Sequence, residues 1–163
     1  MNIGPLQHRH RHVGHCVFSF QVVQLSLARG LDPADHAAIG IQLRRILMRF
    51  SDCMLLCSGG LTHNLSLINV GAEESTLTNK DWVDGKARWT IAFDDWALRT
   101  ARASADRRID EIKNFLHAPG GVLAHPRAEH FMPFAVAAVA AASAAACRCC
   151  FLLLGMLFFC CYC

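Results

Sequence analysis

The sequence predicts an α/β fold, a partial mixed or parallel sheet flanked by helices, and three observations carry that expectation. An apolar, β-branched run from Val17 to Leu27 (VFSFQVVQLSL) has no strict period of two, as expected of a strand buried on both faces. A helix-start signature follows at Asp32, Pro33 and Asp35. A second short apolar run, Cys53 to Cys57 (CMLLC), comes next and is closed by Ser58, Gly59 and Gly60. Strand, helix and strand in succession imply a right-handed parallel crossover, which places the loop after the second strand at a carboxyl edge of the sheet.

A chain of 163 residues suits one domain, and 53% apolar against 18% charged residues excludes disorder over most of its length. The net charge of +3 falls well short of a dedicated nucleic-acid binder, so no nucleic-acid partner is expected. The sequence divides into a His/Arg-rich, disordered N-terminus at 1–16, a folded part at 17–142, and a Cys/Phe-rich apolar tail at 143–163. His8, His10, His12 and His15 could hold zinc or nickel loosely, but such a tract defines no coordination geometry. Six of the nine cysteines crowd into the final segment, unlike a disulfide framework, and the first thirteen residues lack the apolar core of a signal peptide. A cytoplasmic location follows as the expectation. From Phe131 to Cys163 the charged residue is Arg148 alone, and that length would span a bilayer, for which roughly 20 apolar residues suffice. The alanine content, Pro133 and the central Arg148 weaken a single spanning helix, so membrane anchoring through 131–163 is an alternative that is not favoured.

Along the folded part, Asp32 is the expected N-cap of a helix reaching about Phe50, with Ile39, Leu43, Ile46 and Leu47 as its buried stripe. Gly71 to Arg88 reads as a surface loop. Asp94 and Asp95 then precede Trp96, Leu98, Ala101, Ala105, Ile109, Ile112 and Phe115, whose spacing marks one amphipathic helix with acidic N-cap candidates. Its other face, with Arg99, Arg102, Arg107, Arg108 and Lys113, reads as solvated. Val122 to Ala124 is a candidate short strand.

Two histidine sites carry the chemistry. In Ser58-Gly59-Gly60-Leu61-Thr62-His63-Asn64 the paired glycines allow a sharp turn that offers His63 at a strand edge. In His125-Pro126-Arg127-Ala128-Glu129-His130, Pro126 can start a helix that carries Glu129 and His130 one turn along. Imidazoles and a carboxylate so placed suit a mononuclear metal site or a general base, and equally a pair of structural histidines.

VVQLSLARGLDPADHAAIG, CSGGLTHNL, AFDDWAL and HPRAEHFMPFAVAA, in that order, resemble the class III extradiol ring-cleavage dioxygenases, and within them the 4,5-DOPA dioxygenase branch. The resemblance covers about residues 20–142. It implies a non-haem metal enzyme that opens a catechol-type ring next to its hydroxyls with O2, using Fe(II), or with Zn(II) on the same histidines. It implies that His63 is a metal neighbour or the base that takes a catechol proton, and that His125 is a metal ligand or a substrate-binding residue. Glu129 and His130 match the rest of the second motif and join the candidate metal set. Two further metal histidines of the family, in an N-terminal half, have no counterpart here. The resemblance therefore implies a C-terminal part of such a domain, weak or inactive alone. The alternative is a noncatalytic metal-binding or tail-anchored interaction protein.

Overall fold

The computed structural model describes residues 11–13, 16–18, 21–50, 53–68, 82–83, 86–141 and 157–162. Within them the most apolar helix, α6 (Met132–Ala140), is buried at every residue except Pro133. A helix that is apolar on all sides belongs in a protein core or a bilayer. Here it is a core helix of 9 residues, and among the described residues no helix is long and apolar enough to cross a membrane. It lies against α1 (Pro33–Leu47), β3 (Met54–Gly59) and α4 (Ala105–Lys113).

Helix α1 begins as its local chemistry dictates. The Asp32 side chain accepts a hydrogen bond from the Ala34 amide at 2.7 Å, and Pro33 opens the first turn. The helix ends at Leu47, short of Phe50. Its buried face is His36, Ala37, Gly40 and Leu47, while Ile46 is half exposed. Leu47 of the expected stripe is thus buried and Ile39 and Leu43 are half-buried, while toward α6 the face carries small residues, because α6 presents mostly alanine and the two backbones approach closely. A Cβ at Gly40 would lie 2.8 Å from the Val136 carbonyl oxygen and 2.9 Å from the Val139 Cβ. Inside the same face, His36 donates from Nδ1 to the Asp32 carbonyl at 2.7 Å and accepts from the Ala28 amide at Nε2 at 3.2 Å, holding the 28–32 turn against the helix.

Helices packed around a short strand fit a partial α/β domain, but the expected parallel crossover does not form among the described residues. The strands pair two by two and antiparallel: β1 (Arg11–Val13) with β2 (Cys16–Phe18), β3 with β6 (Leu157–Tyr162), and β4 (Trp82–Val83) with β5 (Lys86–Ala87). Residues 21–28 carry no ladder, and Val22, Val23, Leu25 and Leu27 are exposed, so the run from Val17 to Leu27 is not a buried central strand. Its hydrophobicity is real, yet a strand also needs a neighbour for its N–H and C=O groups, and β3 pairs instead with the backbone of 157–162. Much of the expected 71–88 loop lies outside the described residues, as do the side chains of His8, His10, His12 and His15.

The single amphipathic helix expected from Asp94 onward is two helices. The first, α3 (Arg88–Arg102), starts earlier, so Asp94 and Asp95 fall inside it and cannot cap it. The second, α4, follows a break at Ala103 and Ser104. Phe93, Trp96, Ala97, Thr100 and Ala101 face the core from α3, and Arg108 and Ile112 from α4. Arg108 is therefore not on a solvated face. Its guanidinium donates to the Ala101 carbonyl at 3.4 Å and to the Ala141 carbonyl at 2.9 Å, joining the C-terminal ends of α3 and α6. Beyond a 3-10 turn at Phe115–His117, Val122 to Ala124 belong to a short helix, α5 (Gly121–Ala124), with Val122 and Leu123 exposed. The short strand expected there is therefore a turn of helix, closed by bonds from the Ala124 amide to the Gly120 carbonyl and from the His125 amide to the Gly121 carbonyl.

Gly40→Ala is expected to lower stability by roughly 1–3 kcal/mol, the range for forcing an extra carbon into a packed contact. Urea unfolding midpoints measure it, with Ala38→Ser on the exposed face of α1 as a control that stays within about 0.5 kcal/mol.

Candidate functional site

Two segments far apart in sequence are zipped together beside β3. The His63 amide donates to the Ala124 carbonyl at 2.8 Å, and Asn64 Nδ2 donates to the Leu123 carbonyl at 2.7 Å. His125 Nε2 lies 2.6 Å from the Leu61 carbonyl, and the Gly60 amide donates to the His130 carbonyl at 3.1 Å. Gly59 is required by this closeness, since a Cβ there would stand 2.5 Å from the His130 carbonyl oxygen. The paired glycines thus act through room for a passing backbone, in addition to any freedom to turn.

The zipper brings all four candidate residues into one neighbourhood. His63 and His130 stack face to face, with ring centroids 3.5 Å apart and planes 18° from parallel. His125 is close enough for charge on either ring to act on it, and it is buried among Phe93, Phe115 and Phe131 at centroid distances of 5.3 to 6.2 Å, an aromatic floor to the site. A carbonyl can only accept, so the short contact to Leu61 requires the proton on Nε2 of His125 and leaves Nδ1 as a lone pair, buried and without a hydrogen-bond partner among the described residues. Burial pushes the His125 pKa down to about 4; charge on His130 and His63 acts in the same direction, while the Leu61 carbonyl and Glu129 oppose it. His125 is accordingly a neutral imidazole with one fixed tautomer at neutral pH.

Glu129 and His130 do not ride on a helix that starts at Pro126. Residues 126–131 are bends and turns, and the next helix begins at Met132. The Glu129 carboxyl is held below its ordinary pKa by its own backbone N–H and by Arg127, whose Nε lies 3.1 Å from Oε1. Nearby on β3, burial raises the Cys57 thiol to about 11, so it supplies no thiolate.

These residues do not by themselves fit a metal ion. Nitrogen lone pairs lie in the plane of an imidazole, and two nearly parallel planes 3.5 Å apart share no point within the roughly 2 Å reach of a metal–nitrogen bond. Among the described residues no group of three or more His, Cys, Asp or Glu is arranged to hold a metal. What the site offers chemically is a pair of accessible imidazoles on a rigid floor that contains a third.

The chain is 33% identical over 118 residues to a protein named 4,5-DOPA dioxygenase extradiol from Portulaca grandiflora, and 33% identical over 117 residues to one of the same name from Beta vulgaris. The chain is related to the DOPA-dioxygenase-like class III extradiol dioxygenases. Each match covers 71% of this chain, and the chain spans 38% of the length of these dioxygenases. No family model matches it, and no solved structure gives a significant match.

Sequence reasoning named His63, His125, Glu129 and His130 but missed the aromatic floor and the Leu61 carbonyl. Phe131 adjoins the motif and could have been suspected as packing; Phe115 carried only a helical core signal, and Phe93 lay just ahead of the helix expected from Asp94 onward.

His125 also makes stability pH-dependent. Its folded pKa is lowered, so at pH above the unfolded value near 6.5 it is neutral in both states and costs nothing. As the pH falls from 6.5 toward 4 the unfolded chain takes up a proton that the folded chain refuses, and stability is lost across that window. At about 1.4 kcal/mol per pH unit the loss amounts to roughly 3 kcal/mol. The expected outcome is that a His125→Gln variant, unable to titrate, shows a smaller drop in unfolding free energy than the wild type between pH 6.5 and pH 4; equal drops would assign the acid sensitivity to other groups.

Proposed function

We propose that this chain carries the proton-handling part of an extradiol ring-cleaving dioxygenase site, acting on a catechol-type aromatic substrate and O2 in the cytoplasm. The observation that carries the reading is the stacked His63–His130 pair on its buried floor, formed by the same motifs in which the chain resembles its dioxygenase relatives. Neither ring makes a hydrogen bond within the described residues, which leaves their nitrogens for a substrate hydroxyl. In this reading His63 accepts the catechol proton as a general base. His130 packs against it and fixes its plane. His125 is a positioning residue, fastening the Leu61–His63 turn through Nε2. Glu129, tied to Arg127, shapes the rim and contributes negative charge.

Fe(II), or Zn(II) in its place, belongs to the same proposal and would supply the activation of oxygen or the polarisation of the catechol. Because the described side chains do not converge on an ion, its donors would have to include groups beyond them, and weak metal binding and slow turnover are what this chain should display.

Oxygen uptake by the full chain, with DOPA or catechol and with Fe(II) added, tests the reading. The expected result is slow, Fe(II)-dependent uptake matched by ring-opened product, with His63→Ala at least about 100-fold slower, the usual worth of a general base. Absence of uptake, or a rate indifferent to His63→Ala, would overturn it. Metal analysis after Fe(II) or Zn(II) loading makes a separate measurement: the content is expected to be unchanged in a His63→Ala, His130→Ala double variant, and a loss of metal there would make those imidazoles ligands and overturn their assignment to proton transfer and packing.

A further inference from the structure

The corner between α3 and α4 is a second, separate feature. A cleft of about 440 Å³ opens there, lined by Arg99, Arg102 and Arg107 together with Thr100, Ser104 and Glu111. Three arginines and one glutamate thus share its lining, and the carboxylate is already engaged. Glu111 Oε2 accepts the Trp96 indole N–H at 2.8 Å, and its Oε1 lies 3.5 Å from Arg107 Nε. Arg99 and Arg102 are exposed and make no ion pair among the described residues. Their positions four and one residues before the break at Ala103 place both beside the start of α4. At that start Ser104, the N-cap, makes no side-chain capping bond. The first-turn amides of α4 therefore remain without a side-chain acceptor from their own N-cap.

We propose that this cleft binds a small phosphate-bearing anion. Guanidinium forks match the paired oxygens of a phosphate, and a helix N-terminus adds convergent amide donors with a favourable dipole. The two contributions meet at the lining of one cleft, where three arginines stand against Glu111 while Asp106 of the first α4 turn is outside the lining, and the chain as a whole carries only +3. That low overall charge and the compact cleft favour a single phosphate group over the extended backbone of a nucleic acid. The Trp96 indole, held by Glu111, forms a fixed wall, so the site has a rigid side against which an ester substituent can pack. The site draws on none of His63, His125, Glu129 or His130, so its fate is independent of the dioxygenase reading.

The test is titration of the full chain with inorganic phosphate and, separately, with glycerol 3-phosphate at low ionic strength, read by calorimetry and by amide NMR shifts. The expected result is saturable binding of at least one of the two, with shifts centred on Ser104, Ala105 and Asp106, and at least tenfold weaker binding in an Arg99→Gln, Arg102→Gln double variant. Tighter binding of the ester assigns the ligand to phosphorylated small molecules; tighter inorganic phosphate assigns it to the free ion. An Arg29→Gln, Arg49→Gln double variant removes the same charge elsewhere and is expected to bind as the wild type does. Equal weakening in both double variants, shifts centred away from the α3–α4 corner, or no saturable binding of either probe would overturn the proposal. The NMR footprint on the wild type decides the matter even if a double variant fails to fold.

Discussion

The architecture hangs on burying α6 on all sides. A helix of alanine and valine has no polar face to offer to water, so every neighbouring element must contribute surface to it. Alanine also sets how far away those neighbours stand. With side chains this short, α1 must come close enough that Gly40 touches the Val136 backbone, and the face of α1 toward α6 carries small residues. The C-terminal end of α6 is then secured by Arg108, whose positive charge sits where the last carbonyls of α3 and α6 accumulate partial negative charge. A buried arginine is costly when bare, and its hydrogen bonds to backbone carbonyls offset that cost.

The histidine site inherits its rigidity from this core. Phe131, at the N-terminal edge of α6, stacks on Phe115 at 4.1 Å and lies 5.3 Å from the His125 ring. The floor of the histidine site is therefore an extension of the aromatic core, and the turn that presents His63 is fastened to it by hydrogen bonds from His125, Asn64 and the His63 amide itself. The phosphate cleft inherits a different property of the same packing. Breaking the α3–α4 run at Ser104 lets the second helix fold back, and the resulting corner gathers arginines that a continuous helix would have spread along one solvated face.

Local chemistry was readable from the sequence, and long-range geometry was not. Asp32 and Pro33 announce the start of α1 because capping involves neighbours in the chain. The core role of residues 132–140 was ambiguous, because all-round apolarity looks alike in a bilayer and in a protein interior. Val17 to Leu27 had the composition of a central strand, yet pairing depends on what lies alongside, and residues 21–28 have no ladder partner among the described residues. The periodicity running from Trp96 to Phe115 concealed the break, since both helices keep an apolar face and Ser104 carries no strong stop signal. At the site, the motifs pointed to His63, His125, Glu129 and His130 as neighbours. The face-to-face stack and the consumption of His125 Nε2 by a carbonyl depend on a turn 64 residues away and left no trace in either motif.

That separation has a kinetic meaning. The bonds that fasten the His63 turn join residues 59 and 64 positions apart, closing a loop that contains α3 and α4. The entropy of such a closure has to be met before any of these bonds can form, and contacts of long sequence separation are late and slow to assemble. The helical pair inside the loop shortens the effective chain once it has folded, so docking of the two histidine segments follows formation of the α3–α4 corner. The imidazole pair is thus among the last features to appear on the folding path, and any lesion that slows the helical pair delays the site even when the finished structure is unchanged.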